Sequence, residues 1–186
     1  MRFFAVIILV HFVLLSCSSD KNEVANKNEV LNIFNQYSLE LPSYMSKNDS
    51  MIEGAYAQYS NLSKNIHFVI VDEPKEELKE TFLSANQWDT SVSYTRNYYK
   101  YQSLFLSQAF SFSQVYMDST SKFFNKESIH FNAESQKEEG LIHYRFSFLE
   151  GKEDLFMIIA WAEDKSKDIF KKDFNDITSR IREIKQ

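Results

Sequence analysis

The side chains of this chain with the widest chemical reach are one thiol and a few imidazoles. Cys17 is the only cysteine. It follows Leu14-Leu15-Ser16, at the end of an apolar run from Phe3 to Leu15 broken only by His11; Arg2 precedes the run and the polar Ser18-Ser19-Asp20-Lys21-Asn22 follows. A basic start, a short apolar core and a small residue before the cut make a secretory signal. The run falls short of the roughly 20 apolar residues a spanning helix needs. A lone cysteine at that point makes no intramolecular disulfide and needs another role.

Beyond the signal lie His67, His130 and His143. Zinc ligands are close in sequence or shared between adjacent strands. His67 and His143 on neighbouring strands, with Glu138 or Glu139 beside them, would meet that condition. Otherwise they read as solvent-facing strand histidines, and no metal or cofactor is expected. A Ser-His-Asp relay can be assembled in any chain order, but no local pattern marks one. Gly54, Gly140 and Gly151 are the only glycines. They cannot spell a phosphate-binding loop or dinucleotide fingerprint, nor the Gly-x-Ser-x-Gly elbow of hydrolases. The chain is therefore expected not to be an enzyme.

The Leu14-Leu15-Ser16-Cys17 box resembles that of bacterial lipoprotein precursors, which are lipidated on the cysteine and cleaved before it. The resemblance implies a diacylglyceryl group on Cys17, usually with an N-terminal acyl chain. At about 0.8 kcal/mol per buried methylene, two or three such chains anchor stably. The membrane is thus the first expected partner, and the bacterial cell envelope the expected location. Ser18 stands where aspartate resembles an inner-membrane retention signal, which favours the outer membrane. Of 21 basic and 26 acidic residues, removal of residues 1–16 takes only Arg2, leaving a formal charge of −6. That balance argues against nucleic acid as a partner and against electrostatic attachment to anionic headgroups.

The elements that would position any site follow from periodicity. Residues 17–36 read as lipid anchor and tether, with Lys21-Asn22-Glu23-Val24 recurring as Lys27-Asn28-Glu29-Val30, and with Val30 to Phe34 as a helical turn that could dock on the domain. Residues 37–186 read as one domain, long enough for a real core. Strands are expected at Ser38–Leu41, Ala55–Tyr59, Ile66–Val71, Ile129 toward Ala133, Ile142–Phe148 and Leu155–Trp161. Pro74 opens a helix striped by Leu78, Phe82 and Leu83. Tyr94, Tyr98, Tyr101, Phe105, Ala109, Phe112 and Tyr116 step by three or four, which predicts a helix within 90–117 capped by Asp89 or Thr90. Phe170, Phe174, Ile177, Ile181 and Ile184 predict a closing helix from about Ser166 to Ile184. The sum is an α+β fold, an antiparallel sheet of about six strands flanked by helices.

Several segments are similar to PsbP-like proteins and the related DcrB-like bacterial lipoproteins. They are Tyr37-Ser38-Leu39-Glu40-Leu41-Pro42, Ala55-Tyr56-Ala57-Gln58-Tyr59, Phe68-Val69-Ile70-Val71, and Phe156 to Trp161 with the closing helix. The resemblance implies an antiparallel sheet between helices and an accessory role toward protein partners, and it carries no catalytic residue. The tyrosine-rich helix departs from the pattern. Tyr98-Tyr99-Lys100-Tyr101 places aromatics on more than one face, so Tyr98, Tyr99 and Tyr101 form a candidate contact surface. The function expected is a lipid-anchored, non-enzymatic binding or accessory factor for an envelope protein. The alternatives are a carrier of a small apolar ligand between sheet and tyrosine-rich helix, and an unrecognised hydrolase.

Overall fold

A computed structural model describes residues 29–117, 120–175 and 177–184 of the chain. The signal segment and Cys17 lie outside the described residues. Eleven strands and three α-helices follow in the order β1 (Glu29–Ile33), β2 (Tyr37–Leu41), β3 (Ser46–Lys47), β4 (Ala57–Asn61), β5 (Ile66–Pro74), α1 (Lys75–Ser84), α2 (Tyr94–Phe110), β6 (Gln114–Met117), β7 (Ser121–Phe123), β8 (Lys126–Lys137), β9 (Gly140–Glu150), β10 (Asp154–Glu163), α3 (Lys167–Phe174) and β11 (Ile181–Glu183).

The main sheet has eight strands rather than about six, in the order β3-β4-β5-β10-β9-β8-β6, with β7 also on β8. Every pairing is antiparallel. Three strands outside the expected set, β3, β6 and β7, join it, and the expected Ser38–Leu41 strand, β2, does not. A second sheet, β1-β2-β11, lies apart from it.

Period-2 alternation divides the main sheet's side chains between two cores. Ile66, Phe68 and Ile70 of β5 join Phe156, Ile158 and Ala160 of β10, under Leu39 and Leu41 of β2 and Phe170 and Phe174 of α3. On the other face Tyr144, Phe146 and Phe148 of β9 join Ile129 and Phe131 of β8, under Tyr98 and Leu106 of α2. Central strands covered on both faces read as continuous apolar runs, and Leu155 to Ala160 is buried without a break.

Four segments differ from the sequence reading. Glu29–Ile33, assigned to the tether, is strand β1 and pairs with β2. Its Val30–Phe34 stretch is no helical turn, because Phe34 and Asn35 adopt positive φ (51° and 54°) and turn the chain into a hairpin. The tyrosine-rich helix stops at Phe110, where Ser111 takes the left-handed conformation, and Gln114–Met117 is an edge strand. Its N-cap is Ser93, whose side chain accepts from the Arg96 amide, while Asp89 accepts from Ser91. The closing helix ends at Phe174. Ile177 and Ile181 still reach the same core, but through a 3₁₀ turn and through β11, which pairs with β2.

Candidate functional site

The β8–β9 hairpin carries an apolar ladder on one face and a polar one on the other. Ile129, Phe131 and Ala133 stand opposite Phe148, Phe146 and Tyr144. Between them, His130 stands opposite Ser147, Asn132 opposite Arg145, and Glu134 opposite His143. The sequence reading left His143 facing solvent, and Arg145 and Ser147 alternate with it on the same face of β9. They are buried instead: His143 and Arg145 are 4% and 7% exposed. On β10 their neighbours are Ala162 and Ala160, small side chains that leave room above the sheet for long polar ones.

His143 sits between two carboxylates. Its Nδ1 is 3.0 Å from Glu134 Oε1 and its Nε2 is 2.8 Å from Asp164 Oδ1. The His143 hydrogen bond, aided by Lys167 at 3.8 Å, holds the Asp164 carboxyl below its ordinary range. This network forms one wall of a cleft of about 420 Å³. Lys167, Phe170 and Lys171 of α3 form the opposite wall, and Tyr116 of the β6 edge and Asn132 complete it. Residues 167 and 171 share a helix face one turn apart.

Further along the polar ladder, His130 Nε2 lies 2.9 Å from Ser121 Oγ and 3.1 Å from Ser128 Oγ, and its Nδ1 lies 2.9 Å from Ser147 Oγ. A triad histidine is oriented by a carboxylate that stabilises its imidazolium. Ser147 supplies a hydroxyl there and no charge. The cluster is a hydrogen-bond network under the β7–β8 turn.

The metal arrangement considered for His67 and His143 is not formed. β10 separates their strands. Alternation also sends them to opposite faces, His143 beside Glu134 and His67 stacked on Trp161 at 4.8 Å between ring centres. Burial pushes the His67 imidazole below its ordinary pKa. Among the described residues, no three His, Cys, Asp or Glu side chains form a metal-holding group.

The candidate contact tyrosines separate. Tyr98 is fully buried, edge-on to Phe148 at 5.7 Å. Tyr101 is buried and stacked on Phe82 at 3.6 Å, with its hydroxyl on the Gln87 carbonyl. Tyr99 is half-buried and edge-on to Phe148 at 5.4 Å. The helix turns its tyrosines inward because Thr95 and Asn97 lock its first turn: Thr95 Oγ1 donates to the Glu127 carbonyl and Asn97 Nδ2 to the Asp89 carbonyl, both at 2.8 Å. The ring contacts of Tyr98 and Tyr99 fill the helix–sheet interface in which an apolar ligand was considered.

What α2 shows to solvent is apolar at two adjacent positions. Leu104 is 60% and Phe105 64% exposed. Phe105 belongs to the tyrosine series by spacing, yet the buried position next to it is Leu106. Leu104 borders a surface groove of about 400 Å³ with Val92, Arg96, Tyr99 and Lys100. Among the described residues no helix is long and apolar enough to cross a membrane.

No family model and no curated protein matches the chain. Solved structures do. The chain is similar to the solution structure of the cyanobacterial PsbP protein CyanoP from Synechocystis sp. PCC 6803, with a TM-score of 0.54 and 10% identity over 92% of this chain and 99% of that one. It is similar to a protein of Bacteroides thetaiotaomicron VPI-5482, with a TM-score of 0.51 and 10% identity over 86% of this chain and 50% of that one, so it spans half that protein's length. A looser match, with a TM-score of 0.46 and 9% identity over 85% of this chain and 86% of the other, is LpqN of Mycobacterium tuberculosis, described as involved in cell envelope biogenesis. The fold is PsbP-like.

Proposed function

We propose that this PsbP-like domain is a non-enzymatic docking module, held at the bacterial envelope by lipidated Cys17 and binding a protein partner on the outer face of α2. The observation that carries the reading is the adjacent pair Leu104 and Phe105, both exposed by more than half on a helix whose other face is packed into the core. Covering both side chains contributes about 2–4 kcal/mol. The neighbouring groove is apolar in its lining and has Arg96 and Lys100 at its rim. Arg96 is paired with Glu127, and Lys100 shares the groove with Asp89. A partner segment with apolar side chains fits this surface.

The Leu14-Leu15-Ser16-Cys17 box supports the anchoring, and the fold supports an accessory role only as a scaffold that other proteins share. The test is co-purification from native envelopes after cross-linking. The wild-type chain is expected to carry a discrete partner. A Leu104→Ser/Phe105→Ser variant is expected to lose it at an unchanged protein level, and Cys17→Ala to lose it by mislocalisation. Equal recovery of the partner by the α2 variant would move the docking surface elsewhere.

A further inference from the structure

Among the described residues, β3 and β6 end the main sheet, β7 lies beside β6 on the rim of β8, and β1 and β11 end the second sheet. An edge strand presents a row of unpaired amides and carbonyls, and charged side chains are a usual guard against pairing with another chain. Glu29 stands on β1, Lys47 on β3, Lys122 on β7, and Arg182 and Glu183 on β11. β6 has no such guard. Residues 101–117 hold no Asp, Glu, Lys, Arg or His in a chain that is 25% charged, and β6 closes that run. Its Val115 and Tyr116 are 51% and 42% exposed, and as neighbours on a strand they stand on opposite faces of the sheet. We infer that β6 is a docking edge for a second copy of this chain, which continues the sheet by pairing antiparallel with β6 across a two-fold axis.

Symmetry and charge select a second copy as the occupant. An identical antiparallel strand is its own complement, and a two-fold interface closes at the dimer. An axis normal to the sheet keeps each face continuous, so every residue meets one of its own parity. With the axis at Val115, Val115 faces its own copy, Gln114 faces Tyr116, and Ser113 faces Met117. All are uncharged, so no like charges stand opposed. Moving the axis to Tyr116 would draw the charged Asp118 into the ladder, which favours Val115. The chain is acidic, with a formal charge of −5, so two copies repel where charged surfaces meet, and the uncharged rim is where they can approach. A pairing over residues 113–117 falls below the roughly 1,200 Å² of a stable interface, so the dimer is of the transient kind. Leu104 and Phe105 take no part in this ladder, and the inference stands apart from the α2 docking face.

The experiment uses the full chain in native envelopes, with one cysteine added. Opposed residues of an antiparallel pair have Cα atoms about 4.5–5.5 Å apart, inside the roughly 4.4–6.8 Å span of a disulfide. Val115→Cys is therefore expected to give a disulfide-linked dimer under mild oxidation. Its yield should exceed about tenfold that of Leu62→Cys, a position 71% exposed in the turn between β4 and β5, and that of the wild-type chain, which carries only Cys17. Two differently tagged copies, co-purified after formaldehyde cross-linking, test the charge argument. Val115→Lys in both copies is expected to abolish co-purification, and Val115→Lys in one with Val115→Glu in the other to restore it. Leu104→Ser/Phe105→Ser is expected to leave the dimer intact, which separates this edge from the docking reading. A Val115→Cys dimer no stronger than that of Leu62→Cys, equal recovery from the Lys–Lys and Lys–Glu pairs, or a thiol at 115 linked to a different protein would each overturn the inference.

Discussion

Tyr98 offers the sharpest test of whether the tyrosines of α2 are core or contact surface. Its side chain is fully buried, its ring packs on Phe148, and its hydroxyl has no hydrogen-bond partner among the described residues. Burial, with Glu73 and Asp72 nearby, pushes the phenol well above its ordinary pKa. A hydroxyl taken out of water without a partner costs about 1–3 kcal/mol. Tyr98→Phe removes that cost and keeps the ring contacts, so the variant is expected to be more stable than wild type by about 1–2 kcal/mol. In a domain of this size each kcal/mol moves Tm by about 2–4 °C, so the melting point should rise by about 2–8 °C. Tyr98→Ala, by contrast, leaves a cavity and should cost about 3–5 kcal/mol. Urea unfolding reads both values, with the slope held constant so that only the midpoint moves. A Tyr98→Phe variant less stable than wild type by 0.5 kcal/mol or more, roughly the lower bound of one net hydrogen bond, would refute the reasoning. The hydroxyl would then be bonded in the folded protein.

Three further outcomes follow from buried charge and close packing. Burial raises the pKa of Asp72, Glu73 and Asp154, and repulsion from Asp72 adds to it at the last two. Groups whose folded pKa is raised stabilise below the unfolded value, near 3.8 for Asp72, and lose that contribution as pH rises. Asp72→Asn should therefore raise the urea midpoint at pH 7 and change it little at pH 3; a lower midpoint at pH 7 would contradict this. Burial and a hydrogen bond to Glu29 push the Tyr59 phenol up to about 12, and burial raises Tyr37, Tyr44 and Tyr144 as well. Their contribution is present below pH 10 and lost above it, so phenolate absorbance at 295 nm should lag behind that of the urea-unfolded chain and then rise together with unfolding. A Cβ on Gly151 would meet Phe156 Cε1 at 2.8 Å and the Asp154 carbonyl at 3.1 Å, so Gly151→Ala should cost about 1–3 kcal/mol, read as a lower melting temperature.

Most of the main sheet was legible because its strands obey period 2 or run apolar. Ile142 to Phe148 and Leu155 to Trp161 lie within β9 and β10. Periodicity failed where tertiary pairing overrode it. Phe170, Phe174, Ile177 and Ile181 have helical spacing and all reach one core, yet the last stands on β11 beside Leu39 of β2. Phe112 and Tyr116 extend the helical series past a left-handed Ser111 that no local residue type announces. The β7–β8 hairpin turns on Phe124 and Asn125, both at positive φ, and Phe is an unusual residue for that position. The cleft was hidden because polar alternation in β9 reads as a wet face. A second polar alternation, Ser128, His130, Asn132 and Glu134, runs along β8. Two matched polar ladders on adjacent strands are the signal that would have exposed it.

The docking claim rests on α2, and its most direct test is a photo-reactive amino acid placed at position 105 in cells, with position 62 as control. Leu62 is 71% exposed in the turn between β4 and β5, so exposure alone cannot account for a difference between the two sites. The account predicts one discrete protein adduct from position 105, none from position 62, and loss of the adduct with Cys17→Ala. Adducts equal at both positions, or none at 105 in intact envelopes, would contradict it.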